Sequence, residues 1–369
     1  MTKIFYTVAA VIIILSGVNC EGDYRPKSFG SVDEIVVVMD SSRWESQTAE
    51  AIKNSFGAPI ETLPTYEPLY KLVFKDFRTN EQLESLKERK NVIFAAPIDG
   101  ESNTASFVRA ILSEEVEDRV REGQSFAFPV EDRWVRDQWA LIMTSTSDSA
   151  LASKIQSSVE PLVDNLLDRE FERRKEEVYR RGEQVALSDS LWNRFGWKVR
   201  MQHDYVWTVD TTNVVSFRRV LSENDRWMWA WWQDDVQSPD FIDQEWINTT
   251  RDSLMEIYVQ GQREDSYVTT EYRRPVNTKE MDLGSRLIGY ETLGTWRMTN
   301  DFMGGPFVNF TYYDPETSRL FMIEYGQFAP SVNKRRFVMQ FRAMGRTFQS
   351  DSTWTDNSDK VAGVLRESP

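Results

Sequence analysis

The N-terminal half of the chain is a series of short apolar runs separated by helical patterns. Each run has the length of a strand that is covered on both faces. The runs cover residues 35–39, 69–74, 92–96 and 139–144. Helical patterns separate the first run from the second and the third from the fourth, with a further short one around residues 81–90. The order β-α-β-β-α-β predicts a ferredoxin-like domain over residues 32–147.

A long helical pattern follows, from residue 149 to 181. Its apolar stripe consists of Leu151, Ile155, Val159, Leu162, Leu166 and Phe171. Pro161 is expected to bend this helix, because proline removes a backbone donor and clashes with the preceding turn. Arg173 and Arg174 near its end alternate with glutamates, so we expect a solvated helix end and not a basic binding patch. Residues 148–183 are therefore predicted to form a long connecting helix.

The C-terminal half shows the alternation of antiparallel strands. Strand patterns cover residues 197–201, 205–209, 214–221, 226–232, 267–272, 287–298, 307–313 and 320–325. A helix is expected after Ser238, and Phe337, Phe341 and Met344 mark an amphipathic final helix. The whole chain is thus predicted to be α+β. Its second domain, residues 184–349, is an antiparallel sheet with packed helices, and residues 350–369 form a frayed polar tail.

The N-terminal segment has the form of a secretory signal. A short cationic start precedes an uncharged, mostly apolar run over residues 4–18, which is too short to span a bilayer. Cys20, the single cysteine, lies just beyond it, as in lipoproteins whose first mature residue is acylated. We therefore expect a signal peptide over residues 1–19 and a lipidated tether over 20–31. Because Asn19 replaces the small residue usual before such a cysteine, a plain cleaved signal and an uncleaved anchor are the alternatives.

The composition of the chain argues against nucleic acid as a partner and against sites that need several cysteines. The chain has 369 residues, of which 40% are hydrophobic, enough to bury a large core. It carries 44 basic and 58 acidic residues, a formal net charge of -14. Such a surface repels phosphate backbones, so nucleic acid is not expected as a partner. A single cysteine excludes an internal disulfide and a cysteine-based zinc site, and no cofactor is expected.

An aromatic cluster supplies the candidate binding site. Trp227, Trp229 and Trp231 alternate along one predicted strand and are followed by Asp234 and Asp235. Indole faces stack on sugar rings, and two nearby acids are the groups that glycoside cleavage requires. Adjacent residues of a strand point to opposite faces, however, so the two acids do not converge by themselves. Packing between a sheet and helices is the alternative explanation of the tryptophans.

Two other features have simpler structural interpretations. His203 is the only histidine, and we interpret it as a turn residue between two strands because no nucleophile elbow accompanies it. Gly304 and Gly305 precede a strand and Pro306, whereas a phosphate-binding loop needs a helix N-terminus after its glycines. We expect a tight turn there, with close approach of another backbone.

Several local runs together resemble one family. They are Val36-Val37-Val38-Met39-Asp40 with Trp44, Leu63-Pro64 with Glu67-Pro68, Arg251-Asp252-Ser253 with Thr269-Thr270-Glu271, Asp301-Phe302-Met303-Gly304-Gly305-Pro306-Phe307-Val308, Phe328-Ala329-Pro330 and Lys334-Arg335-Arg336. These runs resemble the domain of unknown function family numbered 4837, over about residues 29–348. The resemblance implies a lipidated, exported envelope protein of Gram-negative bacteria with no assigned activity and no agreed catalytic residues.

Two functional hypotheses follow from these observations. The first is a cell-envelope lipoprotein, anchored in the membrane by its N-terminal lipid, that binds a protein or glycan partner without catalysis. It would reside at the outer membrane, face the periplasm or lie on the cell surface. The second is a hydrolase of carbohydrate or peptidoglycan that uses Asp and Glu residues near the Trp cluster.

Overall fold

The computed structural model describes residues 23–221, 223–284 and 287–353; the predicted signal peptide, Cys20 and most of the predicted polar tail lie outside them. Within these ranges the N-terminal half forms a five-stranded sheet. Its strands are β1 (Glu34–Val38), β2 (Lys71–Lys75), β3 (Asn91–Ala95), β4 (Ala127–Glu131) and β5 (Trp139–Met143). Its helices are α1 (Gln47–Phe56), α2 (Asn80–Lys87), α3 (Asn103–Ile111), α4 (Glu114–Arg121), α5 (Asp148–Ser157) and α6 (Val159–Tyr179).

The N-terminal sheet is mostly parallel. Its strand order is β2-β1-β3-β5-β4, and only β4 and β5 are antiparallel neighbours. The α+β class is confirmed, but the structure corrects the ferredoxin-like connectivity, which pairs its strands in an antiparallel sheet. Because α2 separates β2 from β3, it provides a crossover that returns the chain in the same direction. The prediction missed β4, an edge strand that contains Pro129; proline is tolerated at such an edge because one side of the strand needs no ladder hydrogen bonds.

The predicted connecting helix is divided into α5 and α6 at Ser158. Ser158 has φ −131° and ψ 26°, which is not helical, and Pro161 lies in the first turn of α6. Proline is tolerated there because the first amides of a helix have no intrahelical acceptor. A break therefore replaces the expected bend. The apolar residues Leu151 and Leu166 pack in the core under the N-terminal sheet.

The C-terminal half forms an eight-stranded antiparallel sheet and a separate strand pair within the ranges described. Its strands are β6 (Trp197–Lys198), β7 (Val206–Asp210), β8 (Val214–Arg219), β9 (Asp225–Gln233), β10 (Val268–Thr270), β11 (Asn277–Glu280), β12 (Ile288–Met298), β13 (Gly304–Asp314), β14 (Arg319–Phe328) and β15 (Gln349–Ser350). Its helices are α7 (Val185–Phe195), α8 (Gln244–Tyr258) and α9 (Arg335–Gly345).

The strand order of the large sheet is β10-β12-β13-β14-β9-β8-β7, with β11 on β12, while β6 pairs with β15. The predicted antiparallel sheet and the hairpin of β13 and β14 are confirmed. The helix expected after Ser238 begins later, since the side chain of Asp243 caps α8 by accepting a hydrogen bond from Trp246 N at 2.8 Å. Gln349–Ser350, at the start of the predicted polar tail, form a strand.

Helices cover both faces of the large sheet. Ile247 and Met255 of α8 pack with Trp229 on one face. On the other face, Val338 and Phe341 of α9 pack in the larger core cluster of the C-terminal half. Met339 and Ala343, on the opposite side of α9, belong to the core of the N-terminal half together with Phe171 of α6. A helix that is apolar on both sides is buried, and α9 accordingly lies between the two halves.

The Gly304-Gly305 pair allows the close approach that the sequence predicted. Gly305 pairs with Trp296 on β12, and a Cβ at Gly305 would lie 2.0 Å from the carbonyl oxygen of Gln327. Such a distance is impossible for any other residue without moving the backbone. The glycine is therefore explained by packing between strands and needs no bound phosphate.

Candidate functional site

The three tryptophans of β9 share one face of the sheet, as their alternation predicted. Trp229 is 2% exposed beneath α8, while Trp227 and Trp231 are half-buried against the same core cluster. The rings of Trp227 and Trp296 meet edge to face, with centroids 5.1 Å apart. A Cβ at Gly326 would lie 2.4 Å from the Trp227 ring, so this ring is pressed onto the neighbouring strand. Packing thus accounts for most of the aromatic surface.

The two acids that follow β9 do not join this face. Asp234 Oδ1 accepts a hydrogen bond from Arg319 Nε at 2.7 Å, an ion pair with the start of β14. Asp235 has φ 60°, in the left-handed region, and turns the chain. Both acids are exposed, whereas Trp229 is buried. The structure therefore separates the predicted acids from the centre of the Trp cluster.

His203 lies in the turn before β7, in agreement with its interpretation as a turn residue. Its Nδ1 is 3.4 Å from Asp204 Oδ1, and that carboxylate also pairs with Arg219 Nε at 2.7 Å. The neighbours of this histidine are charged groups of the same turn and of β8. This arrangement holds the turn and places no hydroxyl nucleophile beside the imidazole in the part of the chain that is described.

A second polar cluster lies under α8 and brings together two runs of the family motifs. We call Arg251, Asp252, Thr270, Glu324 and Tyr272 the Asp252 cluster. Asp252 Oδ1 accepts hydrogen bonds from the Thr270 backbone N–H at 2.9 Å and from the Thr270 hydroxyl at 2.8 Å. Arg251 Nη1 donates to the same oxygen at 2.9 Å. The carboxylate of Asp252 is thereby fixed to β10 and to its own helix.

Arg251 is fully buried and connects this cluster to the centre of the sheet. Its Nε and Nη2 donate to both oxygens of Glu324, at 2.7 and 2.9 Å, and the guanidinium lies 4.0 Å from the centroid of the Phe307 ring. Burial opposes the charge of Arg251, but the adjacent Glu324 outweighs burial and leaves the pKa of Arg251 raised. Asn309 Nδ2 also donates to Glu324, at 3.2 Å. Both carboxylate oxygens of Glu324 are therefore held by hydrogen bonds.

The cluster reaches the surface at Tyr272. This side chain is 59% exposed, yet its hydroxyl donates to Asp252 Oδ2 at 2.9 Å. Burial, and next the charge of Asp252, raise the pKa of Tyr272. The tyrosine is therefore a neutral donor at physiological pH, held by a carboxylate that a buried arginine holds in turn.

A third polar cluster joins the two halves. We call Asp33, Tyr70, Glu170, Arg174 and Arg335 the Glu170 cluster. Glu170 of α6 is 0% exposed and accepts hydrogen bonds from the Tyr70 hydroxyl at 2.7 Å and from Arg174 Nε at 3.0 Å. Arg335 of α9 donates to both Glu170 oxygens, at 3.0 and 2.8 Å, and Asp33 pairs with both arginines.

This finding corrects the interpretation of the end of α6 as solvated. Arg174 belongs to the Glu170 cluster, and the neighbouring Arg173 is also buried. Arg173 donates to Asp137 Oδ1 at 2.8 Å and to Asn91 Oδ1 at 2.7 Å. Alternating charges on a helix are consistent with solvation, but they are equally consistent with pairing across an interface, and the tertiary structure selects the second.

The N-terminus of α9 is also held by the other half of the protein. Lys334 and Arg335 donate their backbone N–H groups to the two Glu67 oxygens, at 2.7 and 2.9 Å. The helix has no side-chain cap from its own N-cap residue, Lys334. Glu67 therefore supplies both the missing acceptors and a negative charge at the positive end of the helix dipole.

Glu291 forms a further buried pair with the C-terminal end of α9. Arg342 Nη2 and Arg346 Nη2 donate to Glu291 Oε2 at 2.8 and 3.0 Å. Both guanidinium groups also lie over the Phe171 ring of α6, at 4.9 and 4.2 Å from its centroid. Burial alone raises a carboxyl pKa, but the charges of Arg342 and Arg346 lower the pKa of Glu291 well below its ordinary value.

The comparisons with known proteins follow the division into two halves. The fold is an α+β protein with a mostly parallel sheet followed by an antiparallel sheet. Residues 184–347 match the family model of the domain of unknown function DUF4837, and residues 28–179 match that of a second domain of unknown function, DUF8532. The resemblance to the first family is confirmed. The motifs at residues 36–44 and 63–68 lie in the range that the second model matches.

Solved structures show only distant likeness. The Ran-binding protein Mog1p of Saccharomyces cerevisiae aligns with a TM-score of 0.30 and 6% identity, over 43% of this chain and 92% of its own. The human StarD13 lipid transfer and protein localization domain aligns with a TM-score of 0.20 and 10% identity, over 44% of this chain and 94% of its own. No curated protein matches the chain. Scores this low indicate nothing about function.

The described residues contain neither a metal-binding group of side chains nor a membrane-spanning helix. No group of three or more His, Cys, Asp or Glu side chains there is arranged to hold a metal ion. Of the helices in the same part of the chain, none has both the length and the apolar character needed to cross a bilayer.

The Glu170 cluster and the Asp252 cluster each leave a trace in the sequence, in the spacing of their charged residues along a helix. Leu162, Leu166, Glu170 and Arg174 are spaced four residues apart, so the charged pair continues the apolar stripe of α6 onto the buried face. Arg251 likewise lies four residues after Ile247 on the buried face of α8. A charge at the position where the helical period requires an apolar residue indicates a buried ion pair.

Proposed function

We propose that this chain is an exported, lipid-anchored protein of the cell envelope that binds a protein or glycan partner without catalysis. The cationic start, the apolar run over residues 4–18 and Cys20 support export and lipidation. The net charge of -14 argues against nucleic acid as the partner. The two family models that match the chain, over residues 184–347 and 28–179, describe domains of unknown function.

One observation favours binding over catalysis: two deeply buried carboxyl groups, those of Glu170 and Glu291, have lowered pKa values. Arginines lower the pKa of Glu170 and of Glu291 although burial acts in the opposite direction. A general acid in glycoside hydrolysis needs a raised pKa, so that it still carries a proton at working pH. Asp168 is the exception, because partial burial raises its pKa, but it lies on the exposed side of α6. These carboxylates therefore suit structure better than proton transfer.

The anchoring part of the proposal is tested by replacing the sulfur. In a Cys20→Ser variant we expect the mature protein to leave the membrane fraction, because the thioether and the fatty chains it carries are absent. Ser31→Ala, in the predicted tether, is the matched control and stays in the membrane fraction. Mass spectrometry of the wild-type N-terminus is expected to show acylated Cys20. Unchanged detergent partitioning of Cys20→Ser would contradict the proposal.

The non-catalytic part is tested against the hydrolase alternative. The mature protein is incubated with peptidoglycan and with soluble glucans, and the release of reducing ends is measured. We expect none above the buffer control. Release that disappears in Asp234→Asn or Asp235→Asn would establish the hydrolase alternative and reject the binding proposal.

A further inference from the structure

Tyr272 is an exposed aromatic ring in a fixed orientation. Exposed side chains usually sample several rotamers, and ordering one on binding costs conformational entropy. Here the hydroxyl is held by Asp252 at 2.9 Å, and Asp252 is held by Arg251 and by Thr269 Oγ1, the latter at 3.0 Å. The ring is therefore positioned before any ligand arrives.

The Tyr272 side chain lines two clefts. The first, of about 490 Å³, is lined by Tyr272 with Gln244, Asn248, Thr249 and Arg274, and we call it the Asn248 cleft. The second, of about 490 Å³, is lined by Tyr272 together with Glu271, Arg273 and Arg297. Both volumes fall in the range of small-molecule sites.

In the second cleft, the charged side chains already pair with one another. Arg273 Nε donates to Glu271 Oε1 at 2.8 Å, and Arg297 Nε lies 3.9 Å from Glu271 Oε2. The hydrogen bond with Arg273 is the main cause that lowers the pKa of Glu271 to about 2. A ligand in this cleft would have to replace ion pairs, so the Asn248 cleft is the better site.

The Asn248 cleft offers amides and a hydroxyl with unused hydrogen-bonding capacity. Asn248 is 6% exposed, and its Oδ1 accepts no hydrogen bond from the described part of the chain. Buried polar atoms almost always have a partner, so this amide is set up for one that the fold does not provide. Gln244 and Thr249 add an amide and an exposed hydroxyl on the same helix. Gln244 Oε1 already accepts a hydrogen bond from Thr278 N at 3.2 Å, so a ligand would meet the NH2 group of Gln244 as a donor.

The charges around the Asn248 cleft do not favour an anion. Arg274 donates Nη1 to Leu63 O at 3.1 Å and Nη2 to Pro64 O at 3.0 Å, so its terminal nitrogens are engaged by the N-terminal half. Glu245, which also lines the cleft, is exposed and negative. Arg274 keeps its positive charge, because backbone carbonyls are neutral acceptors, and that charge balances the charge of Glu245. The cleft therefore presents no net charge that would attract a phosphate or a carboxylate.

We propose that the Asn248 cleft binds an uncharged saccharide, with one pyranose ring stacked on Tyr272 and its hydroxyls bonded to Asn248 and Gln244. A sugar ring presents an apolar C–H face to the aromatic ring and hydroxyl groups at its edge, which matches a flat ring beside amides. This inference deepens the proposed binding function and rests on it. It also moves the glycan site from the tryptophans of β9 to the surface beside α8.

The test measures binding of cellotetraose, maltotetraose and the β-1,4-linked tetramer of N-acetylglucosamine to the mature protein by calorimetry and saturation-transfer NMR. We expect at least one of them to bind with a dissociation constant below about 10 mM. Tyr272→Ala is expected to weaken that binding about tenfold or more, and Asn248→Ala about fivefold. Inorganic phosphate is expected not to bind there.

Tyr24→Ala is the matched control, because Tyr24 is 90% exposed and lies in the N-terminal segment of the other half. It is expected to leave saccharide binding unchanged. Circular dichroism and the unfolding midpoint confirm that each variant is folded. A failure of all three saccharides to bind, or binding that survives Tyr272→Ala in a folded variant, would overturn the inference.

The experiments distinguish failure of the saccharide site from failure of the proposed anchored binding function. If no saccharide binds while Cys20→Ser still releases the protein and no reducing ends appear, the site is wrong and the anchored binding protein stands. If a tetramer is cleaved instead of bound, the non-catalytic proposal fails while the position of the site, read out by Tyr272→Ala, is retained.

Discussion

The Glu170 cluster and the Asp252 cluster are both built on a buried arginine–glutamate pair, but they hold different parts of the protein in place. Each contains a buried arginine that donates two hydrogen bonds to a buried glutamate, Arg335 to Glu170 and Arg251 to Glu324. In the first, every member lies between the two halves of the protein. In the second, the chain of hydrogen bonds continues through Asp252 to the exposed ring of Tyr272.

The difference shows what a buried ion pair can do in this fold. Removing two charges from water costs several kcal/mol each, so such a pair seldom adds net stability compared with apolar side chains. Such a pair instead fixes the relative orientation of its two side chains, because a guanidinium bonded to both carboxylate oxygens allows only one geometry. The Glu170 cluster fixes one half against the other, and the Asp252 cluster fixes an exposed ring against the sheet.

The largest effect is expected from breaking the Glu170 cluster. Glu170→Gln removes the charge that compensates two buried arginines, and we expect the free energy of unfolding to fall by about 3–5 kcal/mol. Urea unfolding measured by circular dichroism checks this. Glu172→Gln is the matched control on the same helix, since Glu172 pairs with Lys175 at 2.6 Å on the surface. We expect a change below about 1 kcal/mol there. Equal losses in the two variants would contradict the buried role of Glu170.

An intermediate and pH-dependent effect is expected at Glu291. Its pKa is lowered from the ordinary 4.5, so its stabilising contribution is present above about pH 4.5 and is lost as the pH falls through the lower folded value. We expect Glu291→Gln to cost about 3 kcal/mol at pH 7 and progressively less below pH 4.5. Unfolding curves from pH 7 to pH 3 measure the difference. Glu84→Gln, in a surface pair with Lys87, serves as control. A difference that stays constant with pH would count against the ion pair.

The smallest effect on stability is expected at Asp252. The same change is expected to affect the mobility of the exposed Tyr272 ring. Asp252→Asn keeps the size of the side chain but replaces one acceptor oxygen by a donor, so the hydrogen bond from Tyr272 weakens. We expect a loss of about 1.5 kcal/mol in unfolding free energy and faster motion of the Tyr272 ring, measured by NMR relaxation of specifically labelled tyrosine. Tyr272→Phe removes the hydroxyl and is expected to mobilise the ring equally, as measured by relaxation of labelled phenylalanine in that variant. A ring that stays rigid in both variants would show that Asp252 does not orient it.

Much of the fold could be predicted from local patterns. The four apolar runs of the N-terminal half all correspond to strands. Three of these strands, β1, β3 and β5, are buried on both faces, which leaves a continuous apolar signal, whereas the edge strand β2 is only partly buried. The alternation of Trp227, Trp229 and Trp231 likewise placed them on one face of β9. The connectivity of the first sheet could not be predicted in this way, since it depends on whether α2 returns the chain across the sheet. That outcome is decided by packing of distant segments.

The candidate sites were less predictable than the fold. Asp234 follows the tryptophans in sequence but pairs with Arg319, 85 positions later in the chain. Asp252 and Tyr272 are 20 positions apart and form a hydrogen bond only because β10 packs beside α8. Glu170 and Arg335 are separated by 165 positions. Sequence patterns report neighbours within a few residues, whereas these contacts depend on the tertiary fold.

The sequence by itself determined most of the elements of this protein, because burial of an apolar side chain imposes a period of two or 3.6 residues that is visible in the chain. It also carries the apolar N-terminal run and Cys20, on which the prediction of an anchor depends. Only the tertiary structure decided which charges are solvated and which are buried in pairs. The helical period can place a charged residue on a buried face, but its partner is a distant residue that only the fold brings to it, and that partner sets its environment.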